Sequence, residues 1–202
     1  MNVRQRPCPE AELDSSAVRP HLLGIDDGPF DKDADAATPI VGVLMEGSDL
    51  VEGVAMTSFP IDGARVTDFL AGWIQGLRFR PGLQGIVLGG ITIAGLAVVD
   101  IERLSEALEL PVMVLNRKDP REHRLAGALE SAGLTDRLEV VDRTPPSLPV
   151  SNGLYLACAG TSPEEAARLI GASRRKGEMP EPLRLAHLIA SAVVRGESRG
   201  RV

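Results

Sequence analysis

Cysteine and lysine are scarce in this sequence, and no long apolar run occurs in it. The two cysteines, Cys8 and Cys158, are too few for a disulfide framework and lack the spacing of a metal site. No apolar run approaches the roughly 18 residues of a bilayer-spanning helix, so we expect no membrane partner. The first residues are charged and have no apolar stretch behind them, which is not the pattern of a secretory signal. These absences together predict a cytoplasmic protein.

The length of 202 residues and the ordinary composition predict one globular domain. Hydrophobic residues make up 44% of the chain and charged residues 25%, which excludes wholesale disorder. Residues 1–20 are polar and have no hydrophobic periodicity. We therefore predict a flexible N-terminal arm followed by a single domain over residues 21–202. Nothing in the sequence calls for oligomerisation, so we expect a monomer.

Charge is divided unevenly along the chain, around a net charge of −6. Residues 10–68 contain 13 acids and three bases, whereas residues 168–202 contain eight bases and three acids. An acidic segment suits cation binding, and a basic tail suits a polyanion such as nucleic acid. A solvated surface on which the two parts balance explains the same counts, so charge alone leaves both interpretations open.

The order of apolar runs predicts a mixed sheet with helices on both faces. Three strands come first as a meander, and segments of helical and strand type then alternate before two closing helices. A meander followed by βα units is the element order of the ribonuclease-H-like fold. Strands are predicted at residues 21–26, 40–45, 50–57, 85–88, 111–115, 138–141 and 154–159, and helices at 62–76, 96–108, 119–131, from 161 onward and at 182–194.

Acidic residues at strand ends are the first chemical signal. Asp26 and Asp27 follow the first predicted strand, where α/β sheets place their ligands. Adjacent strand residues point to opposite faces, so Asp26, which continues the strand, is the better ligand candidate. A simple turn beginning at Asp26 explains the pattern equally well. Asp62 is by its position a helix cap unless it has a partner, and Asp68 and Asp100 are predicted within helices on the solvated surface.

Two later segments hold further candidates. His187 lies three residues after Arg184 on one face of the last predicted helix, where a lone histidine is more often structural than catalytic. Gly89, Gly90 and Thr92 follow the fourth strand, and glycines there allow a ligand to approach the backbone closely. This loop has the spacing of neither a phosphate-binding P-loop nor a dinucleotide fingerprint.

Taken together, these segments resemble the endonuclease dU proteins, a family similar to endonuclease V, which is a metal-dependent nuclease of ribonuclease-H-like fold. The resemblance covers residues 21–202, and its motifs lie at residues 22–30, 89–100, 180–187 and 195–201. It implies an Mg²⁺-dependent endonuclease, with Mn²⁺ as a substitute, that cleaves DNA near a deaminated base in a repair role. Deoxyuridine is the base that the resemblance favours.

The resemblance also implies roles for individual residues. Asp26, Asp62 and His187 match catalytic positions of endonuclease V, and Asp26 and Asp62, with the adjacent Asp27, are the implied metal ligands. The implied contacts to nucleic acid are Arg117, Lys118, Arg174, Arg175 and Arg184, and the implied pocket for the base is formed by Gly89, Gly90 and Thr92.

One departure separates this chain from endonuclease V. Gly89 stands where endonuclease V has a metal-binding Asp, and Gly95 stands where it has a His. The same metal geometry and lesion specificity therefore do not follow, and Asp27 or Asp100 is left to supply the missing oxygen. Two alternatives stay open: a catalytically inactive nucleic-acid-binding module of nuclease fold, and a nuclease directed at RNA.

Overall fold

A computed structural model describes residues 19–117, 125–151 and 153–199. Residues 1–18 of the predicted arm, Lys118 and the predicted helix start at Asp119 lie outside the described residues. The described end of that arm is held in place, because Arg19 pairs with both Glu46 and Asp49 at 2.8 Å. Within the described residues, no helix combines the length and hydrophobicity needed to cross a bilayer.

One mixed seven-stranded sheet forms the centre of the structure. Its strands are β1 (His21–Asp27), β2 (Ala37–Glu46), β3 (Leu50–Pro60), β4 (Gly85–Leu88), β7 (Val112–Asn116), β8 (Leu148–Ser151) and β9 (Leu154–Ala159). Their spatial order is β3-β2-β1-β4-β7-β9-β8, in which β1, β4 and β7 are parallel and the other neighbours are antiparallel. A separate small hairpin contains β5 (Thr92–Ile93) and β6 (Ala97–Val98).

Helices cover both faces of this sheet, as predicted. They are α1 (Val66–Gln75), α2 (Ile101–Leu108), α3 (Leu125–Ser131), α4 (Leu138–Arg143), α5 (Pro163–Ala172) and α6 (Glu181–Arg195). Apolar residues of α1 and α2 share a core with one face, and those of α5 and α6 pack on the opposite face. The first turn of α5 is capped, since the Ser162 side chain accepts a hydrogen bond from the Glu165 amide.

The alternation of β1 assigns its residues to these two faces. Leu23 and Ile25 belong to the core beneath α1 and α2, whereas Leu22 lies on the side of α5 and α6. Gly24 faces α6 so closely that a β-carbon there would lie 2.3 Å from the backbone nitrogen of Leu183. The absence of a side chain therefore allows the start of α6 to lie directly on β1.

Some predicted elements were wrong. Residues 138–141 form the start of α4 and not a strand, because a run of four residues is too short for periodicity to separate the two. The helix predicted from residue 96 begins at Ile101, since the β5–β6 hairpin turns at Ala94 and Gly95, both of which have positive φ. Asp62 is not a helix cap, because Arg65 occupies the N-cap position of α1.

Asp100 is not the solvated mid-helix residue that was predicted. It is 7% exposed and caps α2, where its side chain accepts a hydrogen bond from the Arg103 amide. Its other carboxylate oxygen pairs with Arg143 at 2.6 Å. Asp100 therefore joins α2 to α4 and is fully engaged in the fold.

Candidate active site

The parallel strands β1, β4 and β7 end at one edge of the sheet, and polar or small residues collect there. Asp26 and Asp27 end β1, Gly89 and Gly90 follow β4, and Asn116 ends β7. The carboxyl ends of parallel strands are where α/β sheets bind ligands, because loops and helix termini leave a crevice there.

Asp26 and His187 meet on the α6 side of this edge. The Oδ2 atom of Asp26 lies 2.8 Å from Nδ1 of His187, although the two residues are 161 positions apart in the chain. This hydrogen bond raises the pKa of His187; partial burial and the positive charge of Arg117 act in the opposite direction. Since a carboxylate only accepts hydrogen bonds, the protonated Nδ1 donates and the other ring nitrogen is left to hold or release a proton.

Asp27 points to the other face of the sheet, as the alternation along β1 predicts. Its Oδ2 accepts a hydrogen bond of 3.1 Å from the amide of Ala94 in the β5–β6 hairpin. Burial, together with the negative charge of the adjacent Asp26, raises the pKa of Asp27 to about 6. The two neighbouring carboxylates therefore give this edge of the sheet a local negative charge.

Asp62 is bound to the same hairpin and has both carboxylate oxygens engaged. Oδ1 accepts from the Leu96 amide at 2.7 Å, and Oδ2 pairs with Lys32 at 2.8 Å. Partial burial acts to raise the pKa of Asp62, but these two donors outweigh it and hold the pKa below its ordinary value. Gly95 is required beside it, because a β-carbon there would lie 2.3 Å from Oδ1 of Asp62.

The side chain of Arg137 stabilises the backbone at Asp62 and Leu96, and the sequence analysis did not identify it. Its side chain is 9% exposed, and it donates to the carbonyl oxygens of Leu96 and Asp62, both at 2.6 Å. Asp62 and Ala94 both adopt the left-handed backbone region, which non-glycine residues reach only where their surroundings enforce it. No periodicity or motif marks an isolated buried arginine, so sequence reasoning had no signal for it.

A cavity of about 440 Å³ opens beside the ends of β4 and β7. All three residues of the predicted base pocket lie in its wall. It is lined by Gly89, Gly90, Ile91, Thr92, Asn116, Leu125, Ala126, Val141, Thr144, Pro145, Pro146 and Ser147. Asn116 was missed, although it directly follows an apolar strand, the same signal that pointed to Asp26.

The predicted phosphate contacts are divided between two places. Arg117 follows β7 and is close enough to His187 to affect its pKa. Arg175 and Arg184 line a different cavity with the β2–β3 turn, and Arg184 pairs with Glu181 at 2.6 Å. Arg174 pairs with Glu178 at 3.2 Å. The structure thus brings Arg117 to the edge that holds Asp26 but leaves the other three away from it.

The residues at this edge fit a hard divalent cation only in part. Among the described residues, no group of three or more His, Cys, Asp or Glu side chains is spaced to hold a metal ion. Asp26 and Asp27 supply one carboxylate on each side of β1, and Mg²⁺ commonly binds one or two carboxylates and completes its shell with water and phosphate oxygens. Asp62 joins such a set only if Lys32 releases it. The donor chemistry therefore suits a cation that shares its shell with a substrate.

Comparison with known proteins assigns the chain to a family. The family model "Endonuclease dU" matches residues 19–194. The chain belongs to the endonuclease dU family. Among its relatives is a UPF0215 protein of Thermococcus gammatolerans, 40% identical over 189 residues, which cover 90% of this chain and 96% of the relative.

Solved structures confirm the fold. A protein of unknown function from Archaeoglobus fulgidus superposes with a TM-score of 0.80 at 35% identity, covering 88% of this chain and all of the other. Endonuclease V of Ciona intestinalis, in complex with a DNA that contains inosine followed by a ribo-adenosine, gives a TM-score of 0.59 at 13% identity over 90% of this chain and 88% of that one. This member of the endonuclease dU family therefore has the predicted ribonuclease-H-like fold.

Proposed function

We propose that the protein is a metal-dependent endonuclease that cleaves a phosphodiester bond near deoxyuridine in DNA. The observation that carries the proposal is the 2.8 Å hydrogen bond between Asp26 and His187 at the carboxyl edge of the sheet, beside an open cavity. Membership of the endonuclease dU family supports the reaction class. A role in the repair of deaminated DNA follows from that substrate.

Asp26 and His187 are suited to phosphodiester hydrolysis. Asp26 fixes the orientation of the imidazole ring, so the free ring nitrogen of His187 can accept a proton from an attacking water or donate one to the leaving oxygen. Arg117, exposed nearby, supplies positive charge for a phosphate. Asp26 would hold an Mg²⁺ or Mn²⁺ ion on the side of His187, and that ion when bound would neutralise phosphoryl oxygens and activate water. Asp27 would join it only if its side chain turned away from the Ala94 amide.

The cavity is suited to a base that has been extruded from the DNA double helix. Strands β1, β4 and β7 lie side by side, which puts Asn116 roughly 10 Å across the sheet from Asp26. An extruded nucleotide and a neighbouring phosphate can bridge that span. Extrusion costs a few kcal/mol and least for damaged or mispaired bases, which favours deaminated sites.

Cleavage of end-labelled DNA that carries one deoxyuridine tests the proposal. We expect cutting with Mg²⁺, none with EDTA, and a rate at least about 100-fold lower for Asp26→Asn and for His187→Gln. Asp33→Asn, in the exposed acidic loop, is the matched control and should cut like the wild type. Intact uracil-, inosine- and abasic-containing duplexes and single strands after incubation with Mg²⁺ or Mn²⁺ would overturn the proposal.

A binding module without catalysis is the second candidate, and Gly89 favours it. The nearest atoms to a β-carbon at Gly89 are those of Leu183 at 3.8 Å, so the position that carries an acid in endonuclease V has room for one but lacks it. Salt-sensitive DNA binding without cleavage, equal in wild type and Asp26→Asn, would support this candidate. Metal-dependent cleavage that Asp26→Asn abolishes would exclude it.

An RNA substrate is the third candidate. The Ciona endonuclease V complex favours a role for a ribose hydroxyl, since its DNA carries a ribo-adenosine after the inosine. Matched strands that differ only in the 2′-hydroxyl at the nucleotide after the lesion separate the two substrates. Faster cleavage of the deoxy strand supports DNA, and faster cleavage of the ribo strand supports RNA.

A further inference from the structure

The side-chain amide of Asn116 presents both hydrogen-bond donors and an acceptor to the cavity beside β4 and β7. Most of the wall is apolar or backbone, and the hydroxyl of Thr144 already donates to the carbonyl of Val140. Asn116 has its backbone paired with Tyr155 in the sheet, which fixes where its side chain begins. Its Oδ1 lies 3.8 Å from the position of a β-carbon at Gly90. The side chain therefore starts from a rigid strand and reaches the cavity wall.

In the described part of the chain, no residue donates a hydrogen bond to the Asn116 amide or accepts one from it. A side-chain amide offers two N–H donors and one carbonyl acceptor in a single plane. Donors and an acceptor held together in a mostly apolar cavity are suited to a flat ligand that has an acceptor and a donor side by side. The cavity of about 440 Å³ has room for a pyrimidine or a purine.

We propose that Asn116 reads the edge that deamination creates on a base; this inference rests on the proposed function. Deamination of cytosine replaces an amino group and a bare ring nitrogen with a carbonyl and an N–H, and deamination of adenine makes the same change. The Asn116 NH₂ would donate to that carbonyl, and its Oδ1 would accept from the adjacent N–H. In the structure the Oδ1 atom of Asn116 lies on the side of Gly90, and in that orientation the amide matches the deaminated edge. Cytosine and adenine present the reverse pattern and pair with the amide only if it rotates by 180°.

This assignment makes Asn116 a residue that determines specificity and not a catalytic one. Uracil and hypoxanthine share the edge that it reads, so one amide serves both products of deamination. Thymine and guanine present the same two groups, but they are paired in intact DNA, which raises the cost of extruding them. The hydrogen bonds of Asn116 then decide which base is accepted. Asp26 and His187 carry out the cleavage step.

The test compares wild type with Asn116→Asp on single-stranded DNAs that differ in one base: uracil, cytosine, or none. The carboxylate has the shape of the amide but only accepts hydrogen bonds. We expect the ratio of kcat/KM for uracil over cytosine to fall roughly 10- to 100-fold. Cleavage at the abasic site should be unchanged, because no base edge is present there. Asp33→Asn, in the exposed acidic loop outside the cavity, is the control that should keep the wild-type ratio.

Binding of the same strands in EDTA gives a second measurement that does not require cleavage. Wild type should prefer uracil over cytosine, and Asn116→Asp should lose that preference. A uracil-to-cytosine ratio that is equal in the two proteins would overturn the role of Asn116 while cleavage by wild type leaves the proposed function intact. If wild type cuts nothing, the proposed function fails, and the binding ratios alone decide the role of Asn116. Equal loss on all three strands, the abasic one included, would indicate a folding defect and count against base reading.

Discussion

Asp26 and Asp27 are neighbours in the chain, yet different physical interactions hold them on the two sides of the sheet. On the α6 side, close packing positions the site: α6 lies on β1 at Gly24, and small residues such as Ala186 and Ala190 are fully buried against β2. On the hairpin side, hydrogen bonds between side chains and backbone position it. The first side depends on volume, and the second depends on a small number of donors.

The hairpin side contributes a few buried apolar residues, among them Ile93, Ala94 and Ala97, to the core beneath α1 and α2. The strands β5 and β6 contain two residues each, which is too short to be stable alone. Arg137, Asp62 and Asp27 together satisfy backbone groups of Ala94 and Leu96, and they replace the missing sheet contacts. The comparison leads to predictions in which the two sides fail for different reasons.

The largest effect is expected from Gly24→Ala on the α6 side. The new β-carbon would lie 2.3 Å from the Leu183 nitrogen and from the Pro182 carbonyl carbon, both of them backbone atoms that cannot rotate away. We expect a loss of about 3 kcal/mol or more in the free energy of unfolding, measured by urea denaturation.

Gly72→Ala is the matched control for that substitution. Gly72 lies within α1 and has nothing within 4 Å of an added β-carbon. Alanine is the better helix former by roughly 0.5–1 kcal/mol, so this variant should be more stable than wild type. Equal effects of the two substitutions would show that α6 does not pack on β1 as closely as described.

Arg137→Leu is expected to have the second largest effect, on the hairpin side. It leaves the carbonyls of Leu96 and Asp62 without their charged donor, at a cost of about 3 kcal/mol. Arg103→Leu removes an exposed ion pair with Asp68 and should cost at most about 1 kcal/mol. Thermal unfolding of both variants measures the difference, and a smaller loss for Arg137→Leu than for Arg103→Leu would contradict this account of the hairpin.

Substitutions of Asp100, also on the hairpin side, separate the effect of helix capping from that of ion pairing. Asp100→Ala loses the cap of α2 and the contact with Arg143, and we expect it to cost about 2 kcal/mol. Asp100→Asn keeps an oxygen for the Arg103 amide and should cost less than Asp100→Ala. Urea denaturation of the two variants side by side tests that order, and equal losses would mean that the ion pair with Arg143 contributes more than the cap.

The smallest effect is expected from Lys32→Met. Its ion pair with Asp62 is half exposed, and such pairs contribute at most about 1 kcal/mol, less at high salt. The difference in melting temperature from wild type should therefore shrink when NaCl is raised to roughly 1 M, because the electrostatic screening length is then only about 3 Å. A difference that persists at high salt would mean that Lys32 stabilises the fold by packing.

Much of the fold was predictable because its signals are local. The β2–β3 hairpin, the buried strands β4 and β7, and the start of α5 follow from periodicity and turn chemistry, and all of them were confirmed. The opposite orientations of Asp26 and Asp27 also follow from the period of two in a strand. Family resemblance supplied His187, which its helical position alone marks as structural.

The remaining features depend on contacts between distant segments. Arg137 contacts Asp62, which lies 75 positions earlier, and no local pattern contains that information. The same holds for the two-residue strands of the β5–β6 hairpin, whose turn at Ala94 exists because Asp27 and Asp62 bind it. Residues 138–141 were assigned to a strand because valine favours strands, whereas the contact between Asp100 and Arg143 supports a helix there.

The 161 positions between Asp26 and His187 also have a consequence for biosynthesis. At a translation rate of roughly 5–20 residues per second, Asp26 is made many seconds before the helix that carries its partner. A chain still attached to the ribosome, or one terminated before α6, contains the carboxylates but not the histidine that completes the pair. The pair on which the proposed function rests therefore forms only after α6 has been synthesised, and no shorter fragment contains it.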